Sequence, residues 1–470
     1  MANQTTSTGE VYAQPDATGN YGLRAGVLGP LETLAQSVSA MAPSTSPSLT
    51  IPLVFALAGN ATWFVYLLAT AATLLVGFCV SRFARLSASP GSLYSYAADT
   101  LPPAFGVTAA WALLLAYVAT GASVAGGALY YAGVLAQELF HRTHGMPALP
   151  TLAVVCAAAG LIAYLDVKLS AELMLWIEIV SVSLILIVLV VLVWRFGFQF
   201  DLDQFRLKGV SVGALGPALV LAMFSFVGFE SATTLGGEAR QPLRTIPRAV
   251  LQCAILAGVF FMLCSYSEVL GFREESSKLS ESTSPLHLLA ARAGISPLGV
   301  AIDFGAFVSM FACVLACATA AARVLLRMAH GKLLPTALER TNRRHGTPGT
   351  AIALTAGLMF ASTAALSLRG VAGSDMYDWL GSLSVFGFLT AYALVAVALP
   401  FARFALGQHS HWVAAASGLT VLVMILIVIF DLKSATDQTH ARIPWIYLGY
   451  IAAGLVWYAM RRKKTAQNSR

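Results

Sequence analysis

Apolar stretches long enough to cross about 30 Å of hydrocarbon recur from residue 31 almost to the end of this chain. Twelve are expected, at 31–58, 61–84, 103–136, 150–166, 172–194, 213–238, 247–271, 296–327, 349–368, 377–402, 411–431 and 443–460. Inside a bilayer each backbone N–H and C=O must be satisfied within the protein, so each run is read as a helix. The fold class is therefore an all-α polytopic membrane protein. Composition agrees: 57% of the 470 residues are apolar and 11% charged, against about 45–50% and 25% in soluble proteins. So few charges cannot cover a globule of this size, which excludes a soluble enzyme. Disorder and collagen-like repeats are excluded too.

The net charge of +7 does not indicate nucleic-acid binding, because the basic residues lie between apolar runs and in the terminal cluster Arg461, Arg462, Lys463 and Lys464. With the N-terminus inside, 19 of the 29 Lys and Arg residues fall on the cytoplasmic side, and an even number of passes returns the C-terminus there. Residues 1–28 read as a disordered cytoplasmic tail without the basic-then-apolar order of a signal peptide, and 461–470 as a basic cytoplasmic tail. All six cysteines lie in apolar runs and read as small core residues, not as a disulfide framework or zinc site.

Two spans are interrupted. In the first, Ala42-Pro43-Ser44-Thr45-Ser46-Pro47 places two prolines and three hydroxyl residues at mid-membrane, where proline removes a backbone donor and clashes with the preceding turn. In the sixth, Gly228 is followed at once by Glu230, with Gly236 and Gly237 beyond. The interruptions are about 184 residues apart, the length of five passes. Breaks in corresponding halves point to a midplane binding site. Either break alone would equally describe a kink. Other chemistries are absent: there is no G-x-x-x-x-G-K-[ST] loop and no H-E-x-x-H. His141 with His144, and His409 with His411, read as solvated loop or helix-end residues.

Three segments resemble the amino acid–polyamine–organocation superfamily of secondary transporters. They are Phe226-Val-Gly-Phe-Glu-Ser, running on through Glu238 and Pro242 to Arg248; Ser89-Pro-Gly91-Ser-Leu-Tyr94-Ser-Tyr96 with Phe105, Gly106 and Trp111; and Ala322-Arg323 to His330-Gly331 and Pro335, with Thr347-Pro348. The sequence departs from the pattern at His330, where the family usually has an acid, and at the first break, which lacks the usual glycine-rich signature. The resemblance implies a leucine-transporter-type fold, two inverted five-helix repeats with helices 1 and 6 broken. It places a transport core at 29–402 and two additional helices at 403–460. It also implies an amino acid permease, a symporter or exchanger working by alternating access in a bacterial inner membrane. A polyamine or organic amine transporter, or a non-transporting sensor on the same scaffold, is the alternative.

The residues suggest how such a site would work. A half-helix beginning after the first break presents free N–H groups and a positive dipole end, so Ser44, Thr45 and Ser46 could hold a carboxylate. Carbonyls of Ala40, Met41, Phe226 and Val227 could accept from an ammonium, beside the backbone approach allowed at Gly228. Tyr117, Phe224 and Phe229 are candidate walls, with core packing the commoner role of any one aromatic. Glu178 and Glu230 lie deep in their spans and are proton-coupling candidates, since intramembrane ions are costly. Six residues beyond Glu172, Glu178 should face the bundle. Glu238 and Arg323, near cytoplasmic ends, are candidate gate partners. Glu268 and Asp303 lie toward the outside and could be solvated. The eighth span offers Ser309 and Thr319 but no hydroxyl pair, which disfavours sodium. No cofactor or metal is expected; the partners are a small-molecule amino acid or amine, protons and the bilayer.

Overall fold

The computed structural model describes residues 21–141, 145–196, 200–273, 278–282, 284–434 and 438–468. Among them the chain is helical, without strands apart from an isolated parallel bridge between Leu28 and Ala239. The first pass is broken into α1 (Pro30–Met41) and α2 (Ile51–Ala58). Pro30 at the first helical position starts α1, and Ala42, left-handed at φ 47°, ends it. A π-helical turn (Ser46–Thr50) then leads into α2, whose own first turn contains Pro52. α3 (Thr62–Ala84) follows after a turn at Gly59, and the short α4 (Ser92–Ala98) precedes α5 (Pro103–Phe140).

α6 (Ala148–Leu165), α7 (Val167–Phe196) and the short α8 (Leu202–Phe205) come next. The sixth pass is again broken: α9 (Val212–Phe224) stops at mid-pass, and a 3-10 turn (Ser231–Leu235) resumes it. α10 (Pro242–Gly271), the short α11 (Pro285–Arg292), α12 (Ser296–His330), α13 (Gly349–Ser367), α14 (Gly373–Ala405), α15 (His411–Ser434) and α16 (Gln438–Asn468) complete the bundle. Among the described residues ten stretches are long and apolar enough to span a bilayer. One of them, Pro30–Ala84, holds both the broken first pass and α3. With the shorter broken sixth pass, the passes number twelve.

α5 is the axis of the bundle. Its most apolar stretch is 89% buried, against 28% for α6, α13 and α15 and 17% for α16, which face lipid. α5 is rich in Ala and Gly, and α12 and α14 pack along it, the small-residue contact that favours close helix approach in membranes. At Gly387 of α14 a Cβ would stand 2.5 Å from the Ala112 carbonyl oxygen of α5.

Both described ends of the chain lie at one end of the bundle, called here the near end. Tyr21 stacks edge-on against His330 at 4.9 Å, and Arg461 donates to the Leu334 carbonyl. Polar residues 1–20 lie outside the described residues, as does His144. Residues 21–28 are seated: Arg24 pairs with Asp166 at 2.7 Å, and the Leu28 N–H donates to the Glu238 carbonyl. This corrects the placing of the whole 1–28 stretch in one polar tail, because backbone groups of that segment find partners in the loop before α10. Beyond residue 460 the α16 helix continues to Asn468. The six cysteines are free and buried, as their apolar surroundings imply, with Cys313 and Cys317 Sγ atoms 3.9 Å apart. Glu268 and Asp303 are corrections. Neither is solvated: they are 0% and 1% exposed, and α11 packs against both of their helices, α10 and α12.

Candidate functional site

The two breaks meet at mid-bundle. Gly228 has φ +89°, and a Cβ there would lie 2.8 Å from the Ala40 carbonyl oxygen and 2.9 Å from Ala40 Cβ. Only glycine combines that backbone conformation with so close a neighbour at no steric cost. The approach is thus to the first pass itself, whereas the sequence suggested a ligand as the reason for the glycine. Two further bonds fix the contact: the Ala232 N–H donates to Ser37 Oγ at 2.9 Å, and Gln36 Nε2 donates to Ser231 Oγ at 2.8 Å.

Several of the expected ligand groups are already used within the protein. The Ala40 carbonyl accepts from Cys313 Sγ, the Thr45 N–H donates to the Ala42 carbonyl at 2.8 Å, and the Phe226 carbonyl accepts from the Phe229 N–H at 3.3 Å. Met41 and Val227 are buried beside them, and Ser46 opens the π-helical turn. The hydroxyls differ. Ser44 Oγ and Thr45 Oγ1 are buried and have no hydrogen-bond partner, nor do Ser39 Oγ, Thr120 Oγ1 and Thr319 Oγ1. Buried polar atoms are normally satisfied, and two of these unpartnered hydroxyls, Ser44 and Thr45, lie in the first break itself.

The aromatic candidates divide. Tyr117 of α5 is fully buried and donates to Glu230 Oε1 at 2.9 Å. Phe229 packs edge-on to Tyr392 at 5.6 Å, and Phe226 packs edge-on to Phe261 at 5.2 Å, away from the break. Phe224 turns toward the end opposite the chain termini, edge-on to Tyr377 at 5.3 Å. There it lines a small pocket with Thr50, Leu53, Val220, Tyr377 and Asp378.

Of the two deep acids, Glu230 is held at both oxygens, by Tyr117 and by Tyr392 of α14 at 2.6 Å. Tyr392 was missed from sequence. A lone tyrosine mid-span in α14 was its only signal. Glu178 is 3% exposed and faces the bundle as the helical spacing predicts, while Glu172 reaches Lys168 at 3.5 Å on the surface. Both Glu178 oxygens accept from Ser309 Oγ of α12, at 3.0 Å each. At the near end, Glu238 and Arg323 form a two-pronged ion pair. Nε reaches Oε2 at 2.6 Å and Nη2 reaches Oε1 at 2.5 Å, with the side chains 0% and 1% exposed.

A mid-bundle site between two facing broken helices, with ten passes around it and two more appended, defines a membrane protein of leucine-transporter-type fold. A crystal structure of a mutant Eremococcus coleocola manganese transporter matches it with a TM-score of 0.58 over 93% of this chain and 94% of that one, at 14% identity. Residues 44–455 match the amino acid permease family, and the chain belongs to that family. The branched-chain amino acid permease BcaP of Bacillus subtilis (strain 168) is 22% identical over 358 residues, 73% of each chain. The uncharacterized transporter Rv1999c of Mycobacterium tuberculosis (strain ATCC 25618 / H37Rv) is 31% identical over 176 residues; the match spans only 37% of that relative's length.

Proposed function

We propose that this protein is a secondary transporter of amino acids, working by alternating access through proton-coupled uptake or exchange in a bacterial inner membrane, with both termini in the cytoplasm. The observation that carries the reading is the junction of the two breaks at Gly228 and Ala40, flanked by the unpartnered hydroxyls of Ser44 and Thr45. A ligand bearing a carboxylate would supply the acceptors those hydroxyls lack, and the start of the outer half-helix would favour its negative charge. Thr45 already donates its N–H internally, so hydroxyls rather than that amide are assigned to the carboxylate.

Glu178 is the preferred proton carrier. Glu230 is tied by two tyrosine hydroxyls, whereas Glu178 accepts from the less acidic hydroxyl of Ser309 across the interface of α7 and α12. Glu238 and Arg323 serve as the cytoplasmic gate, a role supported by their buried two-pronged ion pair.

The test is a competition screen in proteoliposomes with amino acids, their decarboxylated analogues and polyamines, beginning with branched-chain amino acids because of the relative's name. Amino acids should compete and decarboxylated analogues should not. Equal competition by amines would refute the carboxylate assignment and favour amine transport. Saturable binding without flux would identify a sensor.

A further inference from the structure

At the end of the bundle opposite the chain termini, three side chains from three elements converge where α11 packs against the π-helical turn Ser46–Thr50. Glu138 lies at the end of α5, His287 on the short α11, and Asp303 about two turns into α12. His287 Nδ1 is 2.7 Å from Asp303 Oδ2 and 3.0 Å from Glu138 Oε1. One donor atom from each residue falls within 4.8 Å of the others. Ser284 Oγ, just before α11, donates to the second Asp303 oxygen at 2.5 Å and so orients that carboxylate. Glu138 Oε2 is buried with no partner.

A proton alone satisfies this arrangement poorly. One Nδ1–H is shared by two carboxylates, and the trio keeps an excess negative charge whether or not the imidazole is protonated. A divalent ion at the position of that proton would neutralise both acids and take all three groups as ligands. Bond lengths of about 2.0–2.2 Å to nitrogen and oxygen put neighbouring ligand atoms of a tetrahedral ion roughly 3.3 Å apart. The observed 2.7 and 3.0 Å need to open by tenths of an ångström, and the Glu138 and Asp303 oxygens, within 4.8 Å of each other, need to settle at the same spacing. The side chains of His287 and Glu138 are 23% and 24% exposed, so the group is reachable from solution and leaves room for a water as fourth ligand. Calcium and magnesium prefer about six or more oxygen ligands, which an imidazole and two carboxylates do not offer; nitrogen with carboxylate oxygen suits zinc and its neighbours.

We propose that Glu138, His287 and Asp303 form a binding site for a divalent transition-metal ion that ties α11 to α5 and α12. The site is independent of the transport reading, and its test measures binding alone. The full chain in lipid nanodiscs is titrated with zinc chloride by calorimetry. One saturable site per chain is expected, undisturbed by millimolar calcium or magnesium. Glu138→Gln and His287→Gln should each weaken zinc binding about tenfold or more without lowering the metal-free melting temperature appreciably. Ser284→Ala, which leaves the ligands in place but frees Asp303, should weaken it by a similar factor and covers the case in which a ligand variant fails to fold. The proposal is overturned by absence of saturable binding, by displacement with calcium or magnesium, or by unchanged affinity in the folded variants.

Discussion

Replacing Glu238 with glutamine keeps the side-chain shape and removes one charge from a fully buried pair. Arg323 would then stay charged, with Nη1 on the Thr319 carbonyl at 2.9 Å and no carboxylate for the other two prongs. Breaking a buried pair by removing one partner costs about 3–5 kcal/mol. If the near end opens during function, the open state hydrates the guanidinium and escapes that cost. The equilibrium should then move toward opening by roughly two to three and a half powers of ten, at 1.4 kcal/mol per decade.

Cys317 reports the change. It is 0% exposed on α12, about 9 Å before Arg323 along the helix. Its alkylation by N-ethylmaleimide, read by peptide mass spectrometry, should be at least about tenfold faster in Glu238→Gln. The double variant Glu238→Gln with Arg323→Met strands no charge and should label at close to the parent rate. Unchanged labelling in the folded single variant would refute the gate and leave a structural seal. Equally fast labelling in both variants would show that the stranded charge is not the cause.

Three further outcomes are expected. Gly228→Ala incurs about 1–2 kcal/mol for the left-handed backbone and adds a contact under 3 Å to Ala40, so substrate affinity in a binding titration should fall at least tenfold; undiminished affinity would mean that the first pass yields freely. Glu178→Gln should preserve substrate-for-substrate exchange and abolish uphill uptake driven by a proton gradient, and accumulation at the parent rate would shift the role to Glu230. In the loop before α9, burial pushes the Asp201 carboxyl up, but hydrogen bonds from Arg273 and Gln204 outweigh it and hold the group below the ordinary range. Its stabilisation is therefore full above the unfolded-state value, about 3.9, and is lost as pH falls through the lower folded-state value. Asp201→Asn should lower stability at neutral pH by about 1.5–3 kcal/mol, and calorimetric melting at falling pH should show the gap to the parent closing; a gap independent of pH would contradict the ion-pair account.

What the sequence determined follows from the solvent around the chain. In lipid, each apolar run has to satisfy its own backbone, so the passes and their order are written in local composition. The two breaks are legible for the same reason, since prolines in Ala42–Pro47 and the glycine at 228 cannot continue a regular helix there without cost. Helical phase predicts that Glu172 and Glu178 face different ways, so that Glu178 points into the bundle once Glu172 is placed at the surface. Local rules stop at partners distant in sequence. Tyr392 reaches Glu230 across 162 residues, and nothing near either residue announces the other. Asp303 and Glu268 lie toward span ends, where either could be solvated, yet both are buried, with α11 packed on their helices. The same folding brings Glu138, His287 and Asp303 within reach of one ion, though each alone is an ordinary polar residue near a helix end. Tertiary structure also decided which groups at the break remain available: packing satisfies the Thr45 amide and the Ala40 carbonyl but leaves the hydroxyls of Ser44 and Thr45 without partners. Local sequence sets where the backbone must unwind, but which polar atoms are then satisfied depends on helices that meet only when the bundle closes.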